Sequence, residues 1–510
     1  MIEARNLWQL IERRAAHTPD ALLAVDEEDR RLSFAEYKVA AERCAAGLSE
    51  LGVGEGTPVS WMLPTWLESL VLVGGLTRLA ARQNPVLPIY RQREASFITR
   101  QSGARLLIVP SQWRNFDYES MAREIARDQT GLEVLAVDRA LPDADPTHLP
   151  APPPTDLDPI RWLFYSSGTT AAPKGALHTD RAIMAAAVGM CRCLDLAPDD
   201  RVALVFPFTH IGGVLWLMNA LLIGFSHIVI AAFDPKTSID VLVRHGVTQA
   251  GAGTAFHQAY LSAQREAGTG ALFPRVRSFP GGGAPKPPQL HYDIKREMGG
   301  AGIISGYGLT ECPVTTMNAV GNPDEKLALT EGRANPPEMR IRVVKLDGNP
   351  AGPGEEGEIR AHGPQLCKGY LDESLNAAAF DDEGYFRTGD LGYLDEQGYI
   401  VITGRLKDVI IRKGENISAK EVEDLLYQHP KVKDVAVIGL PDPRTGERAC
   451  AVVACSSGAP LAFEEMVSFL KDQGLMIQKI PEQLEILAEV PRNPTGKILK
   501  HELRKKYANS

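Results

Sequence analysis

Strand-like and helix-like hydrophobic periods alternate along this chain from its first hundred residues, and that alternation restricts the fold to sheets covered by helices. Ser33-Phe34-Ala35-Glu36 reads as a capping box, in which the Ser33 hydroxyl accepts from a free helix N–H and Glu36 returns the bond. It opens a predicted helix that runs through Ala41, Cys44 and Leu48 and stops near Gly52-Val53-Gly54. Pro58 to Met62, Pro85 to Ile89 and Arg105 to Pro110 read as short buried strands, separated by helices over Trp66 to Ala81 and Arg93 to Gly103. Leu141 to Pro159, rich in Pro and Asp, reads as an extended surface connection between two subdomains.

Single hydrophobic cores stop growing at roughly 250 to 300 residues, so a chain of 510 must divide. The clearest change of pattern lies near Gly404-Arg405-Leu406-Lys407-Asp408. Before it, Gly384 to Ile402 has the turn-rich alternation of hairpins. After it comes a compact α+β pattern, with a helix over Ala419 to Tyr427. The expected division is a large α/β domain with a β-rich portion over residues 1–406 and a small α+β domain over 407–510.

The net charge of −9 argues against a general nucleic-acid or anionic-membrane binder. The cysteines (Cys44, Cys191, Cys193, Cys312, Cys367, Cys450 and Cys455) are scattered and odd in number, without Cys-x-x-Cys, which points away from disulfides and zinc and toward a reducing, cytoplasmic setting. No export pattern precedes Arg5. Val214 to Phe233 has the length of a membrane span, but Gly224 stops a helix ending in Leu221-Leu222-Ile223, and His227-Ile228-Val229-Ile230 is strand-like. Two buried pieces and no transmembrane segment are therefore expected. A homodimer is compatible with the sequence.

Ser166-Ser167-Gly168-Thr169-Thr170-Ala171-Ala172-Pro173-Lys174-Gly175 follows the apolar run Trp162-Leu163-Phe164-Tyr165. Small residues, hydroxyls and one lysine supply the backbone N–H groups and mobile charge that wrap a polyphosphate. It is not a Walker A loop, because Lys174 precedes its glycine. Three more runs follow in order: Gly306-Tyr307-Gly308-Leu309-Thr310-Glu311, Tyr385-Phe386-Arg387-Thr388-Gly389-Asp390-Leu391, and Pro491-Arg492-Asn493-Pro494-Thr495-Gly496-Lys497.

These four runs together resemble the adenylate-forming superfamily of acyl-CoA synthetases, peptide-synthetase adenylation domains and luciferases. The resemblance covers essentially the whole chain. It implies that Ser166 to Lys174 closes over the ATP β- and γ-phosphates and that Gly282-Gly283-Ala284-Pro285 is the adenine-binding turn. It makes Tyr307, between Gly306 and Gly308, the residue that stacks on adenine. Thr310 becomes an α-phosphate contact, Glu311 the Mg²⁺ ligand and Asp390 the acceptor of both ribose hydroxyls. One glutamate suffices for Mg²⁺, which takes one or two carboxylates plus phosphate oxygens. Arg405 resembles a second ribose or phosphate contact, a surface ion pair being the alternative reading.

The resemblance implies two reactions: acyl-adenylate formation with release of pyrophosphate, then displacement of AMP by the thiol of coenzyme A. Lys497 matches the lysine that stabilises charge building between carboxylate and α-phosphate. Lys407 matches a hinge about which the small domain rotates between the two steps, and Lys413-Gly414-Glu415-Asn416 matches the loop lining the pantetheine path. Ala171 stands where the family loop usually has Gly; if that site needs φ > 0, its methyl costs on the order of 1 kcal/mol.

Phe206-Pro207-Phe208-Thr209-His210-Ile211-Gly212-Gly213 lacks the Asp with which peptide-synthetase domains hold an α-amino group, so an amino-acid substrate would bury its ammonium unpaired. His210 matches an acyl-pocket gate. Ile211, Val214, Trp216, Cys312, Pro313 and Val314 suggest an apolar acyl group, and Pro88 to Glu94 with Phe206 to His210 resembles the medium-chain and cyclohexanecarboxylate-CoA ligase branch. The alternatives are an aryl-CoA ligase, an acyl-AMP ligase loading a carrier protein, and a non-catalytic adenylate sensor. An α/β-hydrolase is disfavoured, because Gly224 to Ile228 lacks the last glycine of a nucleophile elbow.

Overall fold

The computed structural model describes residues 1–166, 173–268, 270–284, 286–412, 415–456, 460–493 and 496–508, with backbone alone at 415 and 416. The Ser33 capping box is present in full and starts the helix Phe34–Glu50, which buries Tyr37, Ala41, Cys44 and Leu48. This helix packs on Leu67–Arg78, where Gly74 and Gly75 let it approach. The long apolar run resolves into the helix Ile211–Ile223, ended by Gly224 with φ +102°, and the strand Ser226–Val229. Among the described residues no helix is long and apolar enough to cross a membrane.

The central six-stranded sheet runs Lys174–Thr179, Ile160–Ser166, Arg82–Pro85, Pro58–Trp61, Leu106–Val109 and Glu133–Ala136, parallel except at its first, antiparallel edge. Two expectations are corrected here. The strand read at Pro85 to Ile89 lies at Arg82–Pro85, a polar run that periodicity passes over. Gln83 and Asn84 are buried because their amides have partners: Gln83 donates to Thr77 Oγ1 at 2.9 Å and Asn84 to Ser60 Oγ at 2.8 Å. Residues 141–159 do not join two subdomains either. They link two strands of this one sheet, and are held down by Ala144 N–H on the Arg43 carbonyl and by Arg78 on the Pro150 carbonyl.

A second sheet pairs Arg201–Leu204, Ser226–Val229, Leu22–Asp26 and Arg31–Ser33. Gln249 bridges its Val202 to Ser278, next to a third sheet in which Phe279–Gly282 and Ile303–Tyr307 run parallel. An antiparallel sheet of Arg340–Val344, Gly357–His362, Phe386–Leu394 and Ile400–Arg405 follows, the β-rich portion the sequence indicated. Beyond the 3-10 turn Leu406–Asp408, the strands Val409–Arg412, Glu415–Ser418, Val432–Asp442, Gly446–Cys455 and Gln483–Leu487 form one more sheet with helices Ala419–Leu426, Phe463–Asp472 and Lys500–Tyr507. The apolar clusters on this sheet begin at Ile410 and Ala436 and draw only on later residues among those described. The whole is mixed α/β and α+β: a large N-terminal assembly of sheets and helices, then a small α+β unit.

Candidate active site

Parallel strands gather ligand-binding loops at their carboxyl ends. At that end of the Phe279–Gly282 and Ile303–Tyr307 pair stand Gly282, Gly283 and Ala284 on one strand and Gly306, Tyr307, Gly308, Thr310 and Glu311 on the other. Gly282 and Gly306 are direct partners, and a Cβ on Gly282 would come 2.9 Å from the Gly306 carbonyl oxygen. That close approach is of strand against strand. Pro285 lies outside the described residues, as do Ser167, Gly168, Thr169, Thr170, Ala171, Lys413 and Gly414.

Ser166 and Lys174 border the phosphate-type loop and are direct partners across an antiparallel pair. Residues 368–371 add to the edge strand Lys174–Thr179, with Leu177 N–H donating to the Gly369 carbonyl and Leu371 N–H to that of Gly175. That pairing brings Tyr370 to Glu311. The Tyr370 hydroxyl donates to Glu311 Oε1 at 2.7 Å, and Lys174 Nζ lies 5.4 Å from the centre of the Tyr370 ring. Sequence reasoning missed Tyr370, and the turn Lys368-Gly369-Tyr370, with Gly369 at φ +111°, was the available signal. His178, also missed, holds the same motif from behind: its Nε2 is 2.8 Å from the Thr310 carbonyl. Burial pushes the ring down to about 4, so it is neutral and donates there.

Among the described residues no group of three His, Cys, Asp or Glu side chains able to hold a metal occurs, so Glu311 belongs to no ready-made all-protein metal cage. A Mg²⁺ held by Glu311 would take its remaining ligands from phosphate oxygens and water, which suits a hard, octahedral ion.

Asp390 lies on Phe386–Leu394 opposite Arg405 on Ile400–Arg405. Its Oδ1 is 2.7 Å from Arg405 Nε, and its Oδ2 accepts from the Tyr307 hydroxyl at 2.8 Å. Tyr307, Asp390 and Arg405, expected around one nucleoside, thus form one bonded chain before any nucleotide arrives. Each carboxylate oxygen keeps a second lone pair for a ribose hydroxyl.

Lys497 lies near the end of the C-terminal unit. Gly496 before it has φ +82°, and a Cβ there would meet Ala255 Cβ at 3.7 Å, so the loop abuts the start of the helix Thr254–Ala267. Burial, then the like charges of Arg405 and Lys407, push the Lys497 ammonium down to about 8, while Asp390 and Asp408 act in the opposite direction. The lysine is therefore within electrostatic reach of Asp390 and Arg405. Lys407, in the turn Leu406–Asp408, is lowered mainly by desolvation and then by Arg405.

His210 caps the helix Ile211–Ile223: its Nδ1 accepts from Gly212 N–H at 3.1 Å. Desolvation pushes it down to about 4, leaving a neutral ring with its proton on Nε2. It lines a pocket of about 300 Å³ with Val86, Tyr90, Phe164, Ile211 and Thr310. Trp216, expected near the acyl group, instead packs against Phe225 and His227 in the core. Its place on the helix turns it inward.

Residues 11–371 match the model of the AMP-binding enzymes, and residues 421–497 match that of the AMP-binding enzyme C-terminal domain. The chain is 31% identical to a medium-chain fatty-acid–CoA ligase of Escherichia coli K12, over 98% of this chain and 89% of that one. It is 33% identical to a salicyl-AMP ligase / salicyl-S-ArCP synthetase of Mycobacterium tuberculosis, over 97% and 89%. Its fold superimposes on the o-succinylbenzoate CoA synthetase of Bacillus subtilis, solved with its acyl-adenylate intermediate, with a TM-score of 0.85, 27% identity and 99% of both chains covered. These matches show that the chain belongs to the AMP-binding enzymes, the family of adenylate-forming acyl- and aryl-CoA ligases.

Proposed function

We propose that this protein is an ATP-dependent acyl-CoA synthetase that activates an apolar carboxylic acid, medium-chain, alicyclic or aryl, as its acyl-adenylate and then passes the acyl group to coenzyme A. The observation that carries the reading is the position of Lys497 within electrostatic reach of Asp390 and Arg405. A carboxylate attacking the α-phosphorus gathers negative charge between two oxygens, and a fixed ammonium there stabilises the transition state more than the ground state.

The other residues divide the work. Asp390 receives the ribose, Tyr307 lies along the base, and Thr310 faces the α-phosphate. Lys174 and Ser166 hold the outer phosphates. Mg²⁺ on Glu311 would neutralise charge on the phosphate oxygens as pyrophosphate leaves. Residues 1–406 hold acid and nucleotide, and 407–510 turn about Lys407 so that the thiol reaches the acyl carbon, with Lys413 and Gly414 beside its path. His210 Nε2–H faces the pocket that receives the acid. The lack of Asp in Phe206 to Gly213 supports an acid without an α-ammonium.

The test is a panel of fatty, alicyclic and aryl acids assayed for pyrophosphate exchange into ATP and for AMP release with CoA. Exchange that needs an acid, with AMP release that needs both acid and CoA, is the expected result. The likeness to a salicyl-AMP ligase favours one second reading, delivery to a carrier-protein thiol. Acid-dependent exchange with no thioester formed on free CoA would select it.

A further inference from the structure

We propose that Arg492 is a positioning residue for adenylation, clamping the Lys497 loop to the small C-terminal sheet through Asp434 and Tyr427; this rests on the adenylation role of Lys497 proposed above. The guanidinium binds in three directions. Its Nε donates to Asp434 Oδ2 at 3.0 Å and its Nη2 to Asp434 Oδ1 at 2.7 Å, a bidentate fork. Nη2 also reaches the Tyr427 hydroxyl at 3.4 Å, and Nη1 donates to the carbonyl of Gly496, the residue directly before Lys497.

The anchor side is rigid. Tyr427 caps the helix Ala419–Leu426, and its hydroxyl donates to Asp434 Oδ1. Asp434 lies in Val432–Asp442, a strand of the small sheet, and also accepts from Val435 N–H at 2.9 Å. Arg492 and Asp434 keep only 18% and 16% of their side-chain exposure, so water screens the pair poorly.

The loop side is short. Arg492 and Ile498 pair as an isolated antiparallel bridge. Asn493 closes the bend from within, its N–H donating to the Lys497 carbonyl and its Oδ1 accepting from Lys497 N–H, both at 2.8 Å. Arg492 ties the bend to helix and strand, and Ile498 packs on the same sheet against the cluster that includes Ala436 and Ile438. An ammonium that must bridge two oxygens loses much of its effect when displaced by about 1 Å, on the order of a hundredfold in rate.

The reach of the clamp sets the test. Lys497 serves adenylation and not thiol attack, so slackening the loop should separate the half-reactions. In Arg492→Gln the kcat of acid-dependent pyrophosphate exchange is expected to fall about tenfold to a hundredfold, with KM for ATP and acid nearly unchanged. Thioester formation from supplied acyl-adenylate and CoA should stay within about twofold of wild type. Asp434→Asn should do the same, and the double variant should be no worse than the worse single one. Should Arg492→Gln fail to melt cooperatively, Arg492→Lys decides by the same ratio, since it keeps the charge and loses the fork. Parallel loss of both half-reactions, or unchanged adenylation, overturns the proposal. Wild type run alongside keeps this outcome separate from the functional reading, which fails if wild type itself lacks acid-dependent exchange or forms no thioester on free CoA.

Discussion

Arg405 Nε lies 2.7 Å from Asp390 Oδ1, across the register that sets the two residues opposite each other in antiparallel strands. On the proposed reading, a ribose would meet a carboxylate already bonded to a guanidinium and to the Tyr307 hydroxyl. Asp390→Asn removes the charge and leaves a single acceptor oxygen in place of two. KM for ATP is expected to rise about tenfold to a hundredfold, the worth of one or two charge-assisted hydrogen bonds. Pyrophosphate exchange at varied ATP measures it, and an unchanged KM would remove Asp390 from the nucleoside site.

His210 has two roles that substitution can part. Ala at this position loses the cap on the helix Ile211–Ile223 and should cost about 1 kcal/mol in thermal or urea unfolding. Asn can retain the cap. Both variants remove the ring from the pocket, so both should alter relative rates across the acid panel. A wild-type acid profile in His210→Asn would leave the residue as a cap alone.

The turn holding Lys407 is a 3-10 segment, whose φ of roughly −50 to −70° a proline ring also imposes. Lys407→Pro fixes φ at this position and restricts Leu406 before it, so it should resist the backbone change that a rotation needs. Thioester formation is expected to suffer more than adenylation, compared by single-turnover assays of each step. Equal rates in both steps, as in wild type, would remove the hinge.

An ammonium pushed down to about 8 from an ordinary 10.5 gives adenylation an alkaline limit. Acid-dependent exchange should decline as pH rises through about 8, while acyl transfer from supplied acyl-adenylate should not follow that titration. Between about 8 and 10.5 the unfolded chain holds more of this proton than the folded one. This group's contribution to stability therefore rises with pH across that window and is least favourable below it. Melting at pH 7 should accordingly not fall in Lys497→Ala.

Much of the fold could be read from local pattern, because caps and breakers act locally: Ser33 and Glu36 start a helix, and Gly224 ends one. The strand Arg82–Pro85 escaped notice because its burial depends on partners from other elements, Thr77 and Ser60. The site divides the same way. Thr310, Glu311, Asp390 and Lys497 sit in runs whose composition announces them. Tyr370, His178 and Arg492 act through contacts across long sequence separations, and apart from the Gly369 turn before Tyr370 nothing in their immediate neighbours marks those contacts.

The central claim is that Lys497 serves the first half-reaction alone. Lys497→Ala, assayed for acid-dependent pyrophosphate exchange and for thioester formation from supplied acyl-adenylate and CoA, tests it most directly. The expected result is loss of most exchange with acyl transfer largely retained. Equal loss in both half-reactions would contradict the assignment.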